Sequence, residues 1–396
     1  MNIAMRNFKP VEDVLGSRQF EIEQRMKAAH QNHLGYPYNL VGYNPVSATL
    51  GQYLINNLGD PYVGSHYASE VCDLELEAIN WLMKLWHCDN LDEYWGSIGA
   101  SGTEGNFWAL YLAREAFPGA KLFYSEEAHY SIPKAARILG MTAVCVSADA
   151  SGAIDLVALQ EAIVNHAGEA VILALTCGTT VKGAHDNIAA AMDCLRVLNV
   201  NQHYVHLDGA LNAMVLPFAD GAHFAIQPSF RHGIDSISTS GHKMIGTPMP
   251  CGALICRKIH VERIASAVAY LRSNDTTLMG SRNGHAVLAI WSRLIGHDIK
   301  GYGDDVAQCL ERTKWLAEML TNANVPLLCN EHSLTILFPQ PSEGIVKTYQ
   351  LACSRGQAHA IIMPSVTTEL LKRFARDYLA WWKVEQSIAY RENRLQ

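Results

Sequence analysis

His206-Leu207-Asp208-Gly209-Ala210 and Ser238-Thr239-Ser240-Gly241-His242-Lys243 are the two stretches whose reading decides the fold. Each closes a short run of strand length with one charged side chain beside small residues, and the second is followed by the turn-rich Gly246-Thr247-Pro248-Met249-Pro250. Asp208 and Lys243 stand 243 − 208 = 35 positions apart, room for a strand, a crossover and a second parallel strand. Charged residues at the C-terminal ends of such strands mark where open α/β sheets keep their active sites.

Working outward, short apolar runs predict strands at 121–124, 142–146, 171–176, 204–208, 236–240 and 253–257. Helical spacing separates several of them, as at 156–166 and 188–198. Continuous apolar strands alternating with helices indicate a mostly parallel sheet covered on both faces. Upstream, helices are expected at 74–86 and from 103 to the Phe117-Pro118-Gly119 breaker. The first 50 residues read as a short helix followed by loops rich in Tyr, Asn and Gly. After 295 the pattern changes to a helix at 306–320, strands at 334–338 and 358–363, and a helix at 367–382. The fold class is therefore α/β, with a large, mostly parallel sheet domain and a small C-terminal α+β domain. The boundaries are 1–50 for an N-terminal segment, 51–295 for the large domain and 296–396 for the small one.

The bulk numbers agree. A chain of 396 residues, 49% hydrophobic and 17% charged, is globular and long enough for two or three domains. A net charge of −7 without a basic run excludes nucleic-acid and anionic-membrane partners and points to a small substrate. Ten scattered cysteines form no CxxC pair and no zinc-ligand spacing, so no metal site is expected and the thiols read as reduced. Without an apolar window of membrane length or a secretory leader, a cytoplasmic location is the expectation.

Four motifs carry chemistry. Lys243 can form a Schiff base with a carbonyl, although a lysine in such a loop is as often an ordinary surface residue. Asp208 can keep a pyridine nitrogen protonated, or simply cap the following helix. Gly99-Ala100-Ser101-Gly102-Thr103-Glu104-Gly105-Asn106 leads into a helix whose N-terminal N–H groups can hold a phosphate, and equally reads as a plain Ser cap. His129, in Glu127-Ala128-His129-Tyr130-Ser131, can stack on an aromatic cofactor and move a proton. As one of seventeen histidines it means little alone.

In this order the four pieces resemble the group II amino-acid decarboxylases that use pyridoxal 5'-phosphate (PLP), of the aspartate-aminotransferase fold type (PLP-dependent transferase fold type I). The resemblance runs from Gly35 to Val366 on the strings GYPYN, YWGSIGASGTEGN, HYSIPKAAR, GTTVKGA, DGA, SGHKMIG, PMPCG and GSRNGHA. It is nearest the short branch of bacterial histidine decarboxylases and plant serine decarboxylases. It implies that Lys243 carries PLP, Asp208 pairs with the ring nitrogen, and His129 stacks on the ring. Gly102 and Thr103 would hold the phosphate with Ser240 and His242. Ala210 would lie against the ring, and Thr180 near its O3' or the substrate carboxylate. Ser281, in Gly280-Ser281-Arg282-Asn283, would reach the phosphate of a neighbouring subunit, making a homodimer, or a dimer of dimers, with shared active sites. Ala100-Ser101 departs slightly from the family's phosphate loop.

The reaction implied is α-decarboxylation of an L-amino acid, a lyase activity. Histidine giving histamine leads, serine giving ethanolamine follows, and another amino acid comes third. His359-Ala360-Ile361-Ile362-Met363-Pro364 and Gly59-Asp60-Pro61-Tyr62-Val63 look more like the serine branch, whereas SGHKMIG suits the histidine enzymes. Tyr36 and Tyr38 are candidates for the substrate wall, or for packing at a subunit interface. His129 or Tyr270 is the expected donor of the proton to Cα. An aminotransferase or lyase would need an arginine for the substrate carboxylate, for which Arg282 and Arg293 are the candidates. A non-catalytic scaffold would not need both Lys243 and Asp208.

Overall fold

Seven strands form the central sheet of the computed structural model, which describes residues 11–41 and 45–395. They are β1 (Tyr94–Gly99), β2 (Lys121–Ser125), β3 (Ala143–Val146), β4 (Val171–Thr176), β5 (His203–Asp208), β6 (Ser236–Ser240) and β7 (Gly252–Arg257). Their order is β1-β7-β6-β5-β4-β2-β3. Strands β3, β2, β4, β5 and β6 run parallel, and only β7 is reversed, pairing antiparallel with both β6 and β1. Every residue of β4 (VILALT) and of β6 (SISTS) is buried, as expected for strands covered on both faces.

The covering helices follow their local signals. α1 (Val11–His30) precedes the sheet unit, and α2 (Cys72–Leu85) packs one apolar side inward. α3 (Gly102–Ala116) starts at Ser101, whose Oγ accepts the Glu104 N–H at 3.2 Å. α4 (Ser131–Leu139) ends on Gly140 at φ 67°, the left-handed conformation that stops a helix at little cost to glycine. α5 (Leu156–Val164) and α6 (Ile188–Val197) are capped by Asp155 and Asn187.

A 39-residue helical stretch, α7 (Gly284–Asn322), leads to the C-terminal part of the chain. It breaks at Asp298 (φ 58°), whose carboxylate accepts the Gly301 N–H at 2.8 Å and so starts the second half. A three-stranded antiparallel sheet follows, β8 (Thr335–Pro339), β9 (Ala352–Ser354) and β10 (Gln357–Ile361) in the order β8-β10-β9, with α8 (Thr368–Leu395) after it. Leu34 bonds this unit at two points: its N–H donates to Tyr349 O (3.1 Å) and its carbonyl accepts from Ile361 N (2.8 Å). That anchor carries residues 36–38 toward the mouth of the main sheet.

Several elements are longer than their periodicity predicts. α1 has twenty residues rather than being a short helix, α7 begins near 284 rather than 306, and α8 continues to 395 rather than 382. α1 is exposed along almost all of its described side chains, so it carries no apolar repeat, whereas the first turns of α7 are buried nearly all round (Ala286–Ile290) and so lack the one-sided spacing of an amphipathic helix. Strand β1 was not expected; its two glycines and its place at the sheet edge weaken the strand signal.

One buried ion pair fastens the segment before α7. Residues Asn56–Leu58 pair antiparallel with Ser281–Asn283, and Arg282 reaches inward to bond Glu75, Ser97 Oγ (3.0 Å) and Gly59 O (3.2 Å). Glu75, fully buried, also accepts from Ile98 N and Asn57 Nδ2, both at 2.8 Å. Removing one charge strands the other, so Glu75→Gln is expected to lower stability by about 3 kcal/mol or more in urea unfolding. A loss below about 1 kcal/mol would contradict this account of the segment.

Candidate active site

The C-terminal ends of β1, β2, β4, β5 and β6 face one side of the sheet, and a cleft of about 470 Å³ opens there. Eleven of the thirteen site residues expected from the sequence line it: Lys243, Asp208, His129, Gly102, Thr103, Thr180, Ala210, Ser240, His242, Tyr36 and Tyr38. Parallel strands and short crossovers bring them together from positions as far apart as 36 and 243. Ser281 and Tyr270 do not line it; both are exposed, and Tyr270 lies between Ser266–Val268 and Ser273–Asp275.

Lys243 follows β6 in a tight turn whose regular geometry breaks at that residue (φ −89°, ψ −121°). Among the described residues its amine has no hydrogen-bond or ion-pair partner. Burial lowers its proton affinity, while the Asp208 charge opposes that. An amine held in this way is disposed to act as a nucleophile toward a carbonyl. Asp208, buried at the end of β5, accepts from Asn106 Nδ2 at 2.7 Å and from Ala210 N at 3.1 Å. Four lone-pair positions on a carboxylate leave capacity for a further N–H donor.

One end of the cleft is built from small residues. Glu104 accepts the Ala100 N–H at 2.6 Å, completing a cap with Ser101 that holds the loop and leaves the N–H groups of Gly102 and Thr103 at the positive end of α3. A Cβ on Gly102 would come within 2.4 Å of Ser240 Oγ. Gly252 lies under the same loop: a Cβ there would meet Thr239 O at 2.5 Å and Gly102 N at 2.9 Å. Gly252→Ala is therefore expected to displace the loop, lower stability by about 1–3 kcal/mol and weaken PLP retention about tenfold. Dialysis with a PLP-fluorescence titration checks this, and unchanged retention would show that the close approach does not matter.

His129 follows β2 and its ring is held by Ser131, with Nδ1 2.7 Å from Ser131 Oγ. Burial lowers its proton affinity, with Asp208 opposing and Lys243 and Lys134 adding to the effect. The residues at the far end are Tyr36, Tyr38, Thr335, His359 and Ile361. Tyr38 stacks on His33 (5.2 Å, 12°) and on Tyr36 (5.8 Å, 15°). His359 lies 3.1 Å from Gly35 O, and burial lowers its proton affinity against the backbone bonds to Gly35 and Val181. Among the described residues no arginine lines the cleft: Arg282 is committed to Glu75, and Arg293 Nε donates to Ile245 O.

Sequence reading missed Asn106, Asn212, Thr335 and His359 as lining residues. Asn106 falls in the phosphate-loop string, four positions after Gly102 and so on the same face of α3. Thr335 and His359 lie in the C-terminal sheet, whose approach to the cleft is a tertiary fact.

The residues present fit PLP: a half-buried amine lining the cleft with no partner among the described residues, a carboxylate with unused acceptor capacity, and a small-residue cradle at a helix N-terminus. This sheet and this site define an α/β enzyme of PLP-dependent fold type I. Residues 9–338 match the model of the pyridoxal-dependent decarboxylase conserved domain, and the chain belongs to that family. It is 39% identical to serine decarboxylase 1 of Oryza sativa subsp. japonica over 349 residues, covering 88% of this chain and 72% of the relative. It is 36% identical to the histidine decarboxylase of Vibrio campbellii over 342 residues, covering 85% and 86%. The solved L-methionine decarboxylase of Streptomyces sp. 590 shares the fold, with a TM-score of 0.84 at 22% identity over 95% of this chain and 96% of that one. The chain is thus a PLP-dependent amino-acid decarboxylase, a lyase.

Proposed function

We propose that the substrate is L-histidine and the product histamine. The observation that carries this reading is the far wall of the cleft, where the stacked rings of Tyr36 and Tyr38 offer aromatic surface for a flat side chain and Thr335 offers a hydroxyl for one of its nitrogens. With no arginine in the lining among the described residues, a dicarboxylic substrate would leave its second charge unpaired.

The chemistry supplied by the bound cofactor is withdrawal of electrons from Cα, which lets the carboxylate leave as CO2. Lys243 would hold the cofactor through its amine and yield that place to the substrate amine. Asp208 would accept the ring N–H and keep that nitrogen charged. Gly102 and Thr103, with Ser240 and His242, would bind the phosphate, and Ala210 would pack on the ring. His129 would lie on the opposite face and return a proton to Cα, and Thr180 would orient the substrate carboxylate.

Tyr270 and Ser281 are exposed outside this chain's cleft, so a role for either would come from a second copy. Exposed apolar side chains at Phe20, Ile22, Met26, Tyr53, Leu54 and Tyr67 support a homodimer with shared sites. Ten free cysteines support a reducing, cytoplasmic location, and no helix among the described residues is long and apolar enough to cross a membrane.

Serine is the second reading, favoured by the 39% identity to a serine decarboxylase. Comparing kcat/KM for L-histidine and L-serine on the PLP-loaded enzyme separates the two. A preference of tenfold or more for histidine, about 1.4 kcal/mol, is expected. A preference for serine would move the assignment to ethanolamine formation.

A further inference from the structure

Beneath the two side chains assigned to the cofactor ring lies one buried amide. Asn106 projects from α3, is 1% exposed, and has all its polar positions engaged. Its Nδ2 donates to Asp208 Oδ2 at 2.7 Å and to Ser131 Oγ at 2.9 Å. Its Oδ1 accepts from Ser238 Oγ at 2.7 Å and from His206 Nε2 at 2.9 Å. Chemistry fixes this orientation. A flipped amide would press a carbonyl against the Asp208 carboxylate, acceptor against acceptor, and would leave Ser238 and His206 facing an N–H group. His206 is itself buried and neutral, its proton affinity reduced by burial to a pKa of about 4, and its other nitrogen lies 2.9 Å from Ser236 Oγ.

The direction of the bonds continues to His129. Ser131 Oγ accepts from Asn106, so its own proton is free to be donated, and His129 Nδ1 lies 2.7 Å away. The Ser131 backbone N–H, which can only donate, lies 3.3 Å from the same nitrogen. Two donors on Nδ1 leave the proton of the neutral ring on Nε2.

We propose that Asn106 is the positioning residue of this active site: it holds the Asp208 carboxylate with one N–H and, through Ser131 with the other, sets His129 as the tautomer protonated on Nε2. His129 then meets cofactor or substrate as a donor, and Asp208 keeps a fixed face toward the ring nitrogen. The inference rests on the roles given above to His129 and Asp208, and it is independent of which amino acid reacts.

The test is a two-bond ¹⁵N–¹H correlation spectrum of the holoenzyme labelled with ¹⁵N-histidine, His129 being assigned by the signals lost in His129→Gln. The wild type is expected to show Nδ1 bare and Nε2 protonated at neutral pH. In Asn106→Asp both donors are lost while the acceptor for Ser238 and His206 stays. That variant is expected to bind PLP about tenfold or more weakly, because an acceptor is left unsatisfied, and to show mixed His129 tautomers. A wild-type His129 protonated on Nδ1 overturns the proposal, as does an Asn106→Asp holoenzyme with wild-type PLP affinity and an unchanged ring. If that variant does not fold, the wild-type spectrum alone decides. No substrate enters these measurements, so failure of the histidine assignment would show in turnover and leave this spectrum untouched.

Discussion

Lys243→Ala is expected to reduce CO2 release by a factor on the order of 10⁴ or more and to abolish the visible absorbance of lysine-bound PLP. Among the described residues no other lysine and no arginine lines the cleft to replace the amine. The fold should survive. Among the described residues the amine has no partner to leave stranded, and alanine removes a group whose charged form burial already disfavours. The melting temperature should therefore hold or rise slightly, separating lost chemistry from lost structure. A variant retaining more than a tenth of wild-type turnover would remove Lys243 from its central place.

Asp208→Asn should lower kcat by about 10²–10³-fold, the scale for removing one preorganised electrostatic partner. Its single amide oxygen can accept from Asn106 Nδ2 or from Ala210 N but not from both, so the change removes the charge together with one acceptor. Without the carboxylate the ring nitrogen loses the partner that keeps it protonated, and electron withdrawal from Cα weakens. PLP should still bind through Lys243 and the Gly102-Thr103 loop. Stopped-flow absorbance with substrate would then show binding that precedes slow turnover. A fall below fivefold would mean that ring protonation does not depend on this residue.

What the sequence made legible follows from where burial is complete. Val171–Thr176 is buried along its length and its apolar composition marks a strand, whereas the equally buried Ser236–Ser240 has a single Ile; Asp208 ends His203–Asp208, and Lys243 follows Ser236–Ser240. The loop before α3 was legible because a small-residue run ending in a capped helix has a local cause. The reversal of β7 was not, since strand direction depends on pairing partners rather than on composition. Neither was β1, an edge strand with two glycines. At the site, Asn106 and His206 stood inside quoted motifs, yet their bonds join residues up to 132 positions apart. The wall formed by Tyr36, Tyr38 and His359 depends on Leu34 bridging Tyr349 and Ile361, a contact between the two ends of the chain.

The most direct test of the account is CO2 release and amine formation by the PLP-loaded protein across the standard L-amino acids, with Lys243→Ala as control. The account predicts stoichiometric CO2 and the matching amine, greatest with histidine, and none from the control. An oxo acid or aldehyde in place of the amine, or no CO2 from any amino acid while PLP is bound, would contradict it.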